Sequence, residues 1–534
     1  MIRDPIRAGL ASGWKVTDAS QLERDLVLDA DVAIVGTGAG GGVTAEILAD
    51  AGLGVVLVEE GPLKSSSDFR MLEAEAYPQL YQELAARKTL DKAITILQGR
   101  NVGGSTTVNW TSSFRTPEAT LEHWRGPFGL DELTTPALVP WFERMERRLA
   151  IAPWTVPANE NNDLLRRGGA KLGIPTAAIR RNVSGCLNLG YCGMGCPTNA
   201  KQSMLVTTIP AALDRGARLV CLARAERLRL SRGRADGLEC RALDARGVHA
   251  TGRRITVRAR HYVIAAGGIG SPALLLRSRT PDPHRVLGFR TFLHPTVISA
   301  AVMREPVRGY AGAPQTVYSD HFLERGPVDG PIGFKLEAAP LHPLLFGMTL
   351  QGFGDWHAGK MKSFPNAHVL IALMRDGFHP GSPGGNVGLR DDGSPVLAYP
   401  LTPYVWDGVR RALLAMAEIQ FAAGAREVLP VHERARPYSS WAEAKTRIAG
   451  LPLEPLLTRV VSAHVMGGCA MADVPQRGVV DAGGRHFQIE NVSVHDGSVF
   501  PTSLGVNPQL SIYALTARNA VALAATLAGR PAGR

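Results

Sequence analysis

The stretch DVAIVGTGAGGG, residues 31–42, decides the fold of this chain. DVAIV is an apolar run bounded by polar residues, which predicts a buried β-strand. The glycine-rich turn leads into VTAEILADAG, whose apolar residues recur with helical spacing, and GVVLVEEG at 54–61 predicts a second buried strand. This order of strand, glycine turn, helix and strand predicts a Rossmann-like unit built on a parallel sheet.

The turn from Gly36 to Gly41 fits the pattern G-x-G-x-x-G. Gly36 permits the tight turn, Gly38 lets the backbone approach a pyrophosphate, and Gly41 allows close packing of the helix on the strand. The start of the helix supplies free N–H groups and partial positive charge. Glu59 ends the second strand, where a carboxylate can accept the hydroxyls of a ribose. The unit therefore predicts a dinucleotide site.

Two further glycine turns indicate which dinucleotide binds. LQGRNVGGSTTVNWTSSFR at 97–115 contains a Gly-Gly-Ser turn, and VIAAGGIGSP at 263–272 contains an alanine–glycine turn. An NAD site needs one close backbone approach, whereas three separated turns suit a larger cofactor. The sequence therefore favours FAD.

Further buried strands follow the first unit, and the segments after about residue 300 predict a second sheet. LVCL (219–222), ITVRA (255–259) and YVIAAGG (262–268) are further buried strands, and a helix begins in SPALLLRS (271–278). Between about 300 and 455, the strand AHVLIALM (367–374) and a hairpin at 386–401 that turns at Asp392-Gly393 predict antiparallel pairing. Long helices are predicted at 406–425 and after Asn507.

The predicted fold class is α/β, a Rossmann-like FAD-binding domain with a second, mainly antiparallel β-sheet and helices that form a substrate domain. The predicted order along the chain is an N-terminal FAD-binding part (1–115), a helical, cysteine-containing segment (116–200), a middle FAD-binding part (201–300), a substrate-binding domain (301–455) and a C-terminal FAD-binding and catalytic part (456–534).

Four ordered motifs resemble the glucose–methanol–choline (GMC) flavoprotein oxidoreductases. They are DVAIVGTGAGGG (31–42), GRNVGGSTTVNW (99–110), VIAAGGIGSPALLLRS (263–278) and VSVHDGSVFPTSLGVNPQLSIYALTAR (492–518). The variants NVGGSTTVNWTSSFRTP (101–117) and GMGCPTNAKQS (193–203) look most like the long-chain alcohol oxidase branch. The resemblance covers most of the chain.

The resemblance implies a set of FAD-binding positions in this sequence. They are Gly36, Gly38, Gly41, Glu59, Gly103, Gly104, Ser105, Asn109, Ala225, Asp496, Gly497 and Pro508. Family members with covalent flavin carry a histidine just before the Gly-Gly-Ser turn. Asn101 and Val102 stand there in this chain, so the resemblance implies noncovalent FAD.

The resemblance also implies a catalytic pair, His464 in SAHVMGGCAM (462–471) and Asn507 in GVNPQL. Oxidation of an alcohol needs a base for the hydroxyl proton, and neutral imidazole suits that task near neutral pH. Asn507 can orient the hydroxyl, and it also predicts a helix N-cap with Pro508 at the first helical position, so that the helix start faces the flavin. We expect His294 and His495 to be structural, and the histidine spacings match no zinc motif.

Half of the six cysteines, Cys186, Cys192 and Cys196, lie within eleven residues. This spacing resembles GMC sugar dehydrogenases in which three cysteines hold a [3Fe–4S] cluster that feeds a cytochrome. Alcohol-oxidase-like members carry cysteines before a stretch like Ala200-Lys201-Gln202 without a cluster. The sequence favours packed thiols or a disulfide, with the cluster as the open alternative, and predicts no other metal site.

Composition restricts the partners. The net charge is +11, but the basic residues are scattered and aromatic residues make up 6% of the chain, so we expect no nucleic-acid binding. The sequence contains no run of eighteen apolar residues, so we expect no transmembrane segment. The N-terminus lacks the apolar region of a signal peptide and the cysteines are sparse, so we expect a cytoplasmic protein.

The predicted function is FAD-dependent oxidation of an apolar aliphatic or sterol-like alcohol to its carbonyl, with hydride transfer to the flavin N5 and His464 as base. The electron acceptor is oxygen, a quinone or a cytochrome. The alternatives are a lyase of the hydroxynitrile lyase type on the same fold, and a sugar dehydrogenase whose Fe–S cluster passes electrons to a cytochrome.

Overall fold

A computed structural model describes residues 2–529. Its α-helices, in chain order, are α1 (Pro5–Ala11), α2 (Ala39–Asp50), α3 (Glu73–Leu80), α4 (Ser105–Val108), α5 (Glu118–Phe128), α6 (Thr135–Arg148), α7 (Glu160–Lys171), α8 (Thr208–Asp214), α9 (Gly267–Arg277), α10 (Pro343–Thr349), α11 (Gly354–Lys362), α12 (Pro403–Ala422), α13 (Trp441–Ala449) and α14 (Gln509–Leu527).

The strands, also in chain order, are β1 (Lys15–Asp18), β2 (Leu26–Val35), β3 (Val55–Val58), β4 (Ile94–Ile96), β5 (Ile151–Pro153), β6 (Ala177–Ala178), β7 (Arg180–Asn182), β8 (Arg218–Cys221), β9 (Ala223–Ser231), β10 (Arg234–Leu243), β11 (Ala250–Ile264), β12 (Thr291–Phe292), β13 (Thr296–Met303), β14 (Val317–Ser319), β15 (Phe334–Ala338), β16 (Ala367–Met374), β17 (Asn386–Leu389), β18 (Pro395–Ala398), β19 (Ala425–Pro430), β20 (Val460–Ser462), β21 (Met466–Gly467) and β22 (Val492–Val494).

The first sheet has the order β1-β8-β3-β2-β11-β10-β9, with β22 paired to β11. Its centre is parallel, from β8 through β3 and β2 to β11 and β22. The strand, turn, helix and strand predicted from residues 31–61 are present as β2, α2 and β3. Two predicted strands, 255–259 and 262–268, are instead one continuous strand, β11, because both parts pair with β2 without a break in register. Helix α9 begins at Gly267, four residues earlier than predicted.

The second sheet has the order β4-β20-β13-β16-β15-β14-β6, with β19 paired to β13. Its inner pairs are antiparallel, as predicted for this region from the strand and hairpin signals. The predicted strand 367–374 is β16, and the predicted hairpin is formed by β17 and β18. This sheet also takes strands from outside 301–455, namely β4, β6 and β20, and β13 begins before residue 301. The domain boundaries given above remain predictions.

Two long helices cover the sheets. Helix α12 packs on α7, β13 and β16, and it shares one buried apolar cluster with the back of the second sheet. Helix α14 packs against α2 and α6. Helix α14 is long and apolar enough to cross a membrane by length and composition, but its apolar stretch is mostly buried within the fold, which is typical of a core helix.

Candidate active site

The first glycine turn lies between β2 and α2, where the backbone leaves no room for side chains. Gly36 has φ of +93°, and a Cβ there would lie 2.3 Å from the carbonyl oxygen of Ala265. A Cβ on Gly41 would meet the carbonyl oxygen of Gly36 at 1.9 Å. A Cβ on Gly38 would meet nothing closer than 3.9 Å, so this glycine faces open space. No side chain caps the start of α2, and its free N–H groups therefore suit a phosphate.

Glu59 follows β3 and is buried beside this turn. Its Oε2 accepts hydrogen bonds from the backbone N–H (3.0 Å) and the hydroxyl (2.6 Å) of Thr37, and its Oε1 accepts one from Gly61 N–H (2.9 Å). Burial raises the pKa of Glu59, although these hydrogen bonds oppose the shift. The carboxylate thus ties the turn to the end of β3.

The second turn, at Gly103-Gly104, meets the first turn directly. The N–H of Gly103 donates to the Thr37 hydroxyl at 3.0 Å, and a Cβ on Gly104 would lie 2.8 Å from the Cα of Gly38. The hydroxyl of Ser105 accepts a hydrogen bond from the backbone of Gly99. These contacts place the Gly-Gly-Ser turn against the start of α2.

Asn109, Asp496 and Ala225 have protein partners of their own. The amide of Asn109 donates to the Gln509 side chain (2.7 Å). Asp496 accepts hydrogen bonds from Gly267 N–H, the Ser271 hydroxyl and Ser498 N–H. The carbonyl oxygen of Ala225, in β9, accepts a hydrogen bond from Arg277.

The third turn and the C-terminal segment complete a ring around the start of α2. A Cβ on Gly40 would lie 1.4 Å from the carbonyl oxygen of His495. His495 is buried and its Nδ1 lies 2.9 Å from the hydroxyl of Thr44 in α2, in keeping with the expected structural role. Asp496 and Gly497 follow, and Asp496 joins this segment to the turn before α9. Three turns thus converge on one helix N-terminus with space at Gly38, an arrangement that fits an FAD pyrophosphate. Which atoms each predicted residue contacts remains a prediction.

His464 is half-buried and lies between β20 and β21. The carbonyl oxygen of its neighbour Val465 lies against the third turn, because a Cβ on Gly268 would meet it at 2.8 Å. His464 Nδ1 lies 3.1 Å from His294 Nδ1. Contrary to the expectation of a purely structural role, His294 therefore contacts the predicted base directly.

Burial and a nearby cation keep both rings neutral. Desolvation, reinforced by the charge of Lys335, lowers the pKa of His464 to about 4. Desolvation and the neighbouring His464 and Lys335 lower the pKa of His294 well below its usual value, and the backbone of Gly505 opposes that shift. His294 Nε2 is buried and has no partner within hydrogen-bond distance in the described residues.

Lys335 is fully buried on β15. Its Nζ donates to Asp320 at 2.7 Å and lies 3.6 Å from the ring centre of Phe114 and 3.8 Å from that of Tyr318. An ion pair and two aromatic faces together stabilise a cation in this place.

Glu337 lies two residues further along β15, on the same face as Lys335. Its Oε2 accepts a hydrogen bond from Gln315 at 2.7 Å, while its Oε1 is buried without a close partner. Burial raises the pKa of Glu337 to about 7, and the charge of Lys335 and the side chain of Asn507 oppose the shift. Glu337 thus changes charge near neutral pH within reach of Asn507.

Asn507 differs from its predicted capping role. Helix α14 begins at Gln509, Pro508 occupies the cap position, and no side chain caps this helix. The Oδ1 of Asn507 is buried with no close partner. The helix start does not use this side chain, which lies beside Glu337 instead.

Each cysteine of the cluster contacts a different neighbour. Cys186 accepts a hydrogen bond from Asn188, Cys192 accepts one from Arg181, and Cys196 contacts the Thr198 hydroxyl. Within residues 2–529 all six cysteines are free thiols, and no group of three or more His, Cys, Asp or Glu side chains is arranged to hold a metal. The structure gives the [3Fe–4S] alternative no support.

Lys201 joins the cysteine segment to the second glycine turn. Its buried amino group donates to the carbonyl oxygens of Thr107 (2.5 Å), Asn109 (3.0 Å) and Cys192 (2.7 Å). Burial lowers the pKa of Lys201 to about 8. The Ala-Lys-Gln stretch therefore has a local structural role.

The fold and the site together define a flavin-dependent oxidoreductase. Two family models, both described as GMC oxidoreductase, match residues 77–296 and 380–516. These matches cover more than half of the chain, which belongs to the GMC oxidoreductase family. It is accordingly an oxidoreductase that acts on CH–OH donors, with FAD as the implied cofactor.

Relatives extend over nearly the whole chain. An uncharacterised GMC-type oxidoreductase of Sinorhizobium fredii is 30% identical over 94% of this chain and 96% of its own length. A long-chain-alcohol oxidase of Arabidopsis thaliana is 28% identical over 91% of this chain and 67% of its own length. Pyridoxine 4-oxidase from Mesorbium loti has a similar fold, with a TM-score of 0.68 and 20% identity over 92% of this chain and 98% of that chain.

Proposed function

We propose that the protein oxidises an apolar primary or secondary alcohol to its carbonyl compound, with His464 as the base that takes the hydroxyl proton. The observation that carries this proposal is the neutral His464–His294 pair close to Lys335, on the same strand as Glu337, which Asn507 contacts. FAD, held noncovalently, would supply the hydride acceptor. Asn101, before the second turn, binds the Leu80 carbonyl and offers no ring nitrogen for a covalent link.

His294 sets the tautomer of His464. When His294 carries its proton on Nε2, its Nδ1 has no proton and accepts the hydrogen bond from His464 Nδ1–H. The proton on His464 Nδ1 leaves Nε2 with a free lone pair. That lone pair is the one a base needs to receive the hydroxyl proton.

Glu337 and Asn507 hold the hydroxyl group. Burial of Glu337 Oε1 and Asn507 Oδ1 without a close partner is costly, and a substrate hydroxyl that bonds one of them removes part of that cost. The amide of Asn507 can also donate to the substrate oxygen, which fixes the carbon that loses hydride.

Lys335 serves the same reaction electrostatically. After desolvation, which is the larger cause, its charge further lowers the pKa of His464. The same charge favours the negative oxygen that develops as the hydroxyl proton leaves.

The substrate class follows from the apolar residues around the site and from the Arabidopsis relative, which is named a long-chain-alcohol oxidase. That name also supports oxygen as electron acceptor, with a quinone or cytochrome as the alternative.

The test is anaerobic mixing of the holoprotein with 1-decanol. We expect loss of the oxidised flavin absorbance and formation of decanal. A flavin that stays oxidised with every alcohol tried contradicts the proposal, and cleavage of a cyanohydrin by the same preparation would instead establish the lyase alternative.

A further inference from the structure

Asp376 is a fully buried carboxylate that contacts the segment carrying His294. It follows the end of β16. Its Oδ1 accepts a hydrogen bond from the backbone N–H of His294 at 3.1 Å, and its Oδ2 accepts one from the N–H of Leu293, also at 3.1 Å. Oδ2 accepts a further hydrogen bond from the hydroxyl of Tyr399 at 2.6 Å. Three donors from two separate parts of the chain therefore converge on one carboxylate.

The backbone of His294 depends on such support. Its φ is +50°, a left-handed conformation that residues other than glycine seldom adopt. A residue keeps this conformation, at a cost in free energy, where the surrounding structure holds it there. The hydrogen bond from its N–H to Asp376 fixes the peptide plane that precedes the residue. Asp376 therefore helps to set the direction in which the His294 ring leaves the backbone.

Ser462 connects the same segment to His464. Its hydroxyl donates to the carbonyl oxygen of Leu293 and accepts a hydrogen bond from the backbone N–H of His464 at 3.3 Å. The rings of His294 and His464 meet at their Nδ1 atoms. A displacement of the Leu293–His294 peptide would therefore reach His464 through its backbone and through its ring.

The backbone of Asp376 holds the segment that leads to Asn507. Its carbonyl oxygen accepts hydrogen bonds from the N–H of Ser503 at 3.2 Å and from the Ser503 hydroxyl at 2.7 Å. Ser503 is fully buried and stands four residues before Asn507. One residue thus binds the two segments on which the predicted catalytic pair depends, with its side chain on the His294 side and its carbonyl on the Asn507 side.

We propose that Asp376 is a positioning residue for the oxidation, which holds the His294–His464 pair in register with Asn507. This inference rests on the proposed function. Asp376 binds backbone N–H groups and the Tyr399 hydroxyl, so it acts on the geometry of the site. Transfer of a proton to His464 requires the base to lie at hydrogen-bond distance from the substrate hydroxyl, and a small displacement of the base slows that transfer.

The first test is anaerobic stopped-flow reduction of the holoprotein by 1-decanol in Asp376→Ala, which removes the carboxylate. We expect the limiting rate of reduction per bound flavin to fall roughly 10- to 100-fold. The alcohol concentration that gives half of this rate should change by less than about threefold, because the lost contacts are to the backbone. The solvent deuterium isotope effect on the rate should rise, because proton transfer to a displaced base limits the rate more strongly.

A residue that only stabilises the fold would give a different result. Loss of folded or flavin-loaded protein lowers the amplitude of the absorbance change, but it leaves the rate and the isotope effect of the remaining holoprotein as they are. A wild-type rate and isotope effect in Asp376→Ala therefore overturn the positioning role. If that variant yields no folded holoprotein, Asp376→Asn, which has nearly the same size and keeps one acceptor oxygen, provides the same test. We expect a roughly 10-fold slower rate and a raised isotope effect there, and wild-type values overturn the role.

Asp282 provides the matched control. Its carboxylate also accepts two backbone N–H groups, those of Val286 and Leu287, each at 3.0 Å, in the loop before β12. Asp282→Ala should lower the midpoint temperature of unfolding and leave the rate of flavin reduction and its isotope effect unchanged. A loss of rate equal to that of Asp376→Ala would show that the effect is not specific to Asp376, and would overturn the assignment.

Amide hydrogen exchange separates this inference from the proposed function. If no alcohol reduces the flavin, the proposed function fails, but the holoprotein without alcohol still tests the role of Asp376. In Asp376→Ala we expect exchange to be roughly tenfold faster than in the wild type over residues 292–294 and 462–464, whereas Asp282→Ala leaves both segments unchanged. Exchange over residues 462–464 that matches the wild type in Asp376→Ala overturns the link from Asp376 to His464.

Discussion

Replacement of His294 tests how the chain prepares His464. His294→Ala removes the ring whose Nδ1 lies 3.1 Å from His464 Nδ1. His294→Asn keeps an acceptor, because the amide oxygen of asparagine occupies nearly the position of Nδ1. Asparagine also tolerates the left-handed backbone of this position, where φ is +50°. The two variants therefore differ mainly in whether His464 Nδ1–H has a partner.

The size of the effect follows from the burial of the pair. A buried polar group that loses its partner costs about 1–3 kcal/mol. If His464 then carries its proton on Nε2, the reactive tautomer, with the proton on Nδ1, lies higher by that free energy. The rate of flavin reduction by a saturating alcohol should then fall roughly 5- to 150-fold in His294→Ala, and by only a few-fold in His294→Asn.

Anaerobic stopped-flow measures that rate directly, and the flavin content and the midpoint temperature of unfolding report whether each variant is intact. If the flavin of a fully loaded His294→Ala protein is reduced at the wild-type rate, His294 does not set the tautomer of His464. Equal losses in the two variants would also refute the reasoning.

Three further predictions concern groups whose environment the structure defines. Gly38→Ala should fold with a wild-type circular dichroism spectrum but bind FAD at least tenfold more weakly, because the added Cβ meets no protein atom within 3.9 Å yet occupies the space for the pyrophosphate; equal flavin content would contradict this. Glu337 has an ordinary pKa of 4.5 and a pKa of about 7 in the fold, so the folded chain holds a proton that the unfolded chain has released, and stability falls by about 3 kcal/mol as pH rises through this window. In urea unfolding, the free energy of unfolding of Glu337→Gln should therefore rise by about 3 kcal/mol relative to that of the wild type between pH 4.5 and pH 8. A difference between the two proteins that stays constant with pH would refute this prediction. Lys335→Met should raise the pKa of His464 and move the acid limb of the pH profile of kcat/KM upward, and an unmoved limb would show that the cation does not act on His464.

Local sequence patterns predicted the dinucleotide unit well. The positions of Gly36, Gly38 and Gly41 are dictated by backbone crowding, which the order of strand, turn and helix already implies. The antiparallel region was also visible in the sequence, because β16 is a continuous apolar run and the separate hairpin of β17 and β18 turns at Asp392-Gly393.

The partners of His464 could not be predicted in this way. His294 lies 170 positions from His464, and no local pattern relates them. Lys335 and Glu337 did give a signal, since FKLEA places two charges at alternating positions of an otherwise apolar strand. Such alternation usually marks a solvated face, and only the packing of Phe114, Tyr318 and Gln315 over this face shows that it is buried.

The predicted start of α14 was wrong by one residue. Pro508 occupies the cap of α14 in place of Asn507, a shift of one residue that propensity cannot resolve. The shift matters here because the Asn507 side chain lies beside Glu337 rather than on the helix start.

The most direct test of the account is the anaerobic reduction of bound flavin by 1-decanol in the wild type and in His464→Ala. The account predicts that the variant retains FAD and its fold but reduces the flavin roughly 10²- to 10⁴-fold more slowly, as expected for loss of a general base. A His464→Ala protein that reduces its flavin at the wild-type rate would contradict the central claim.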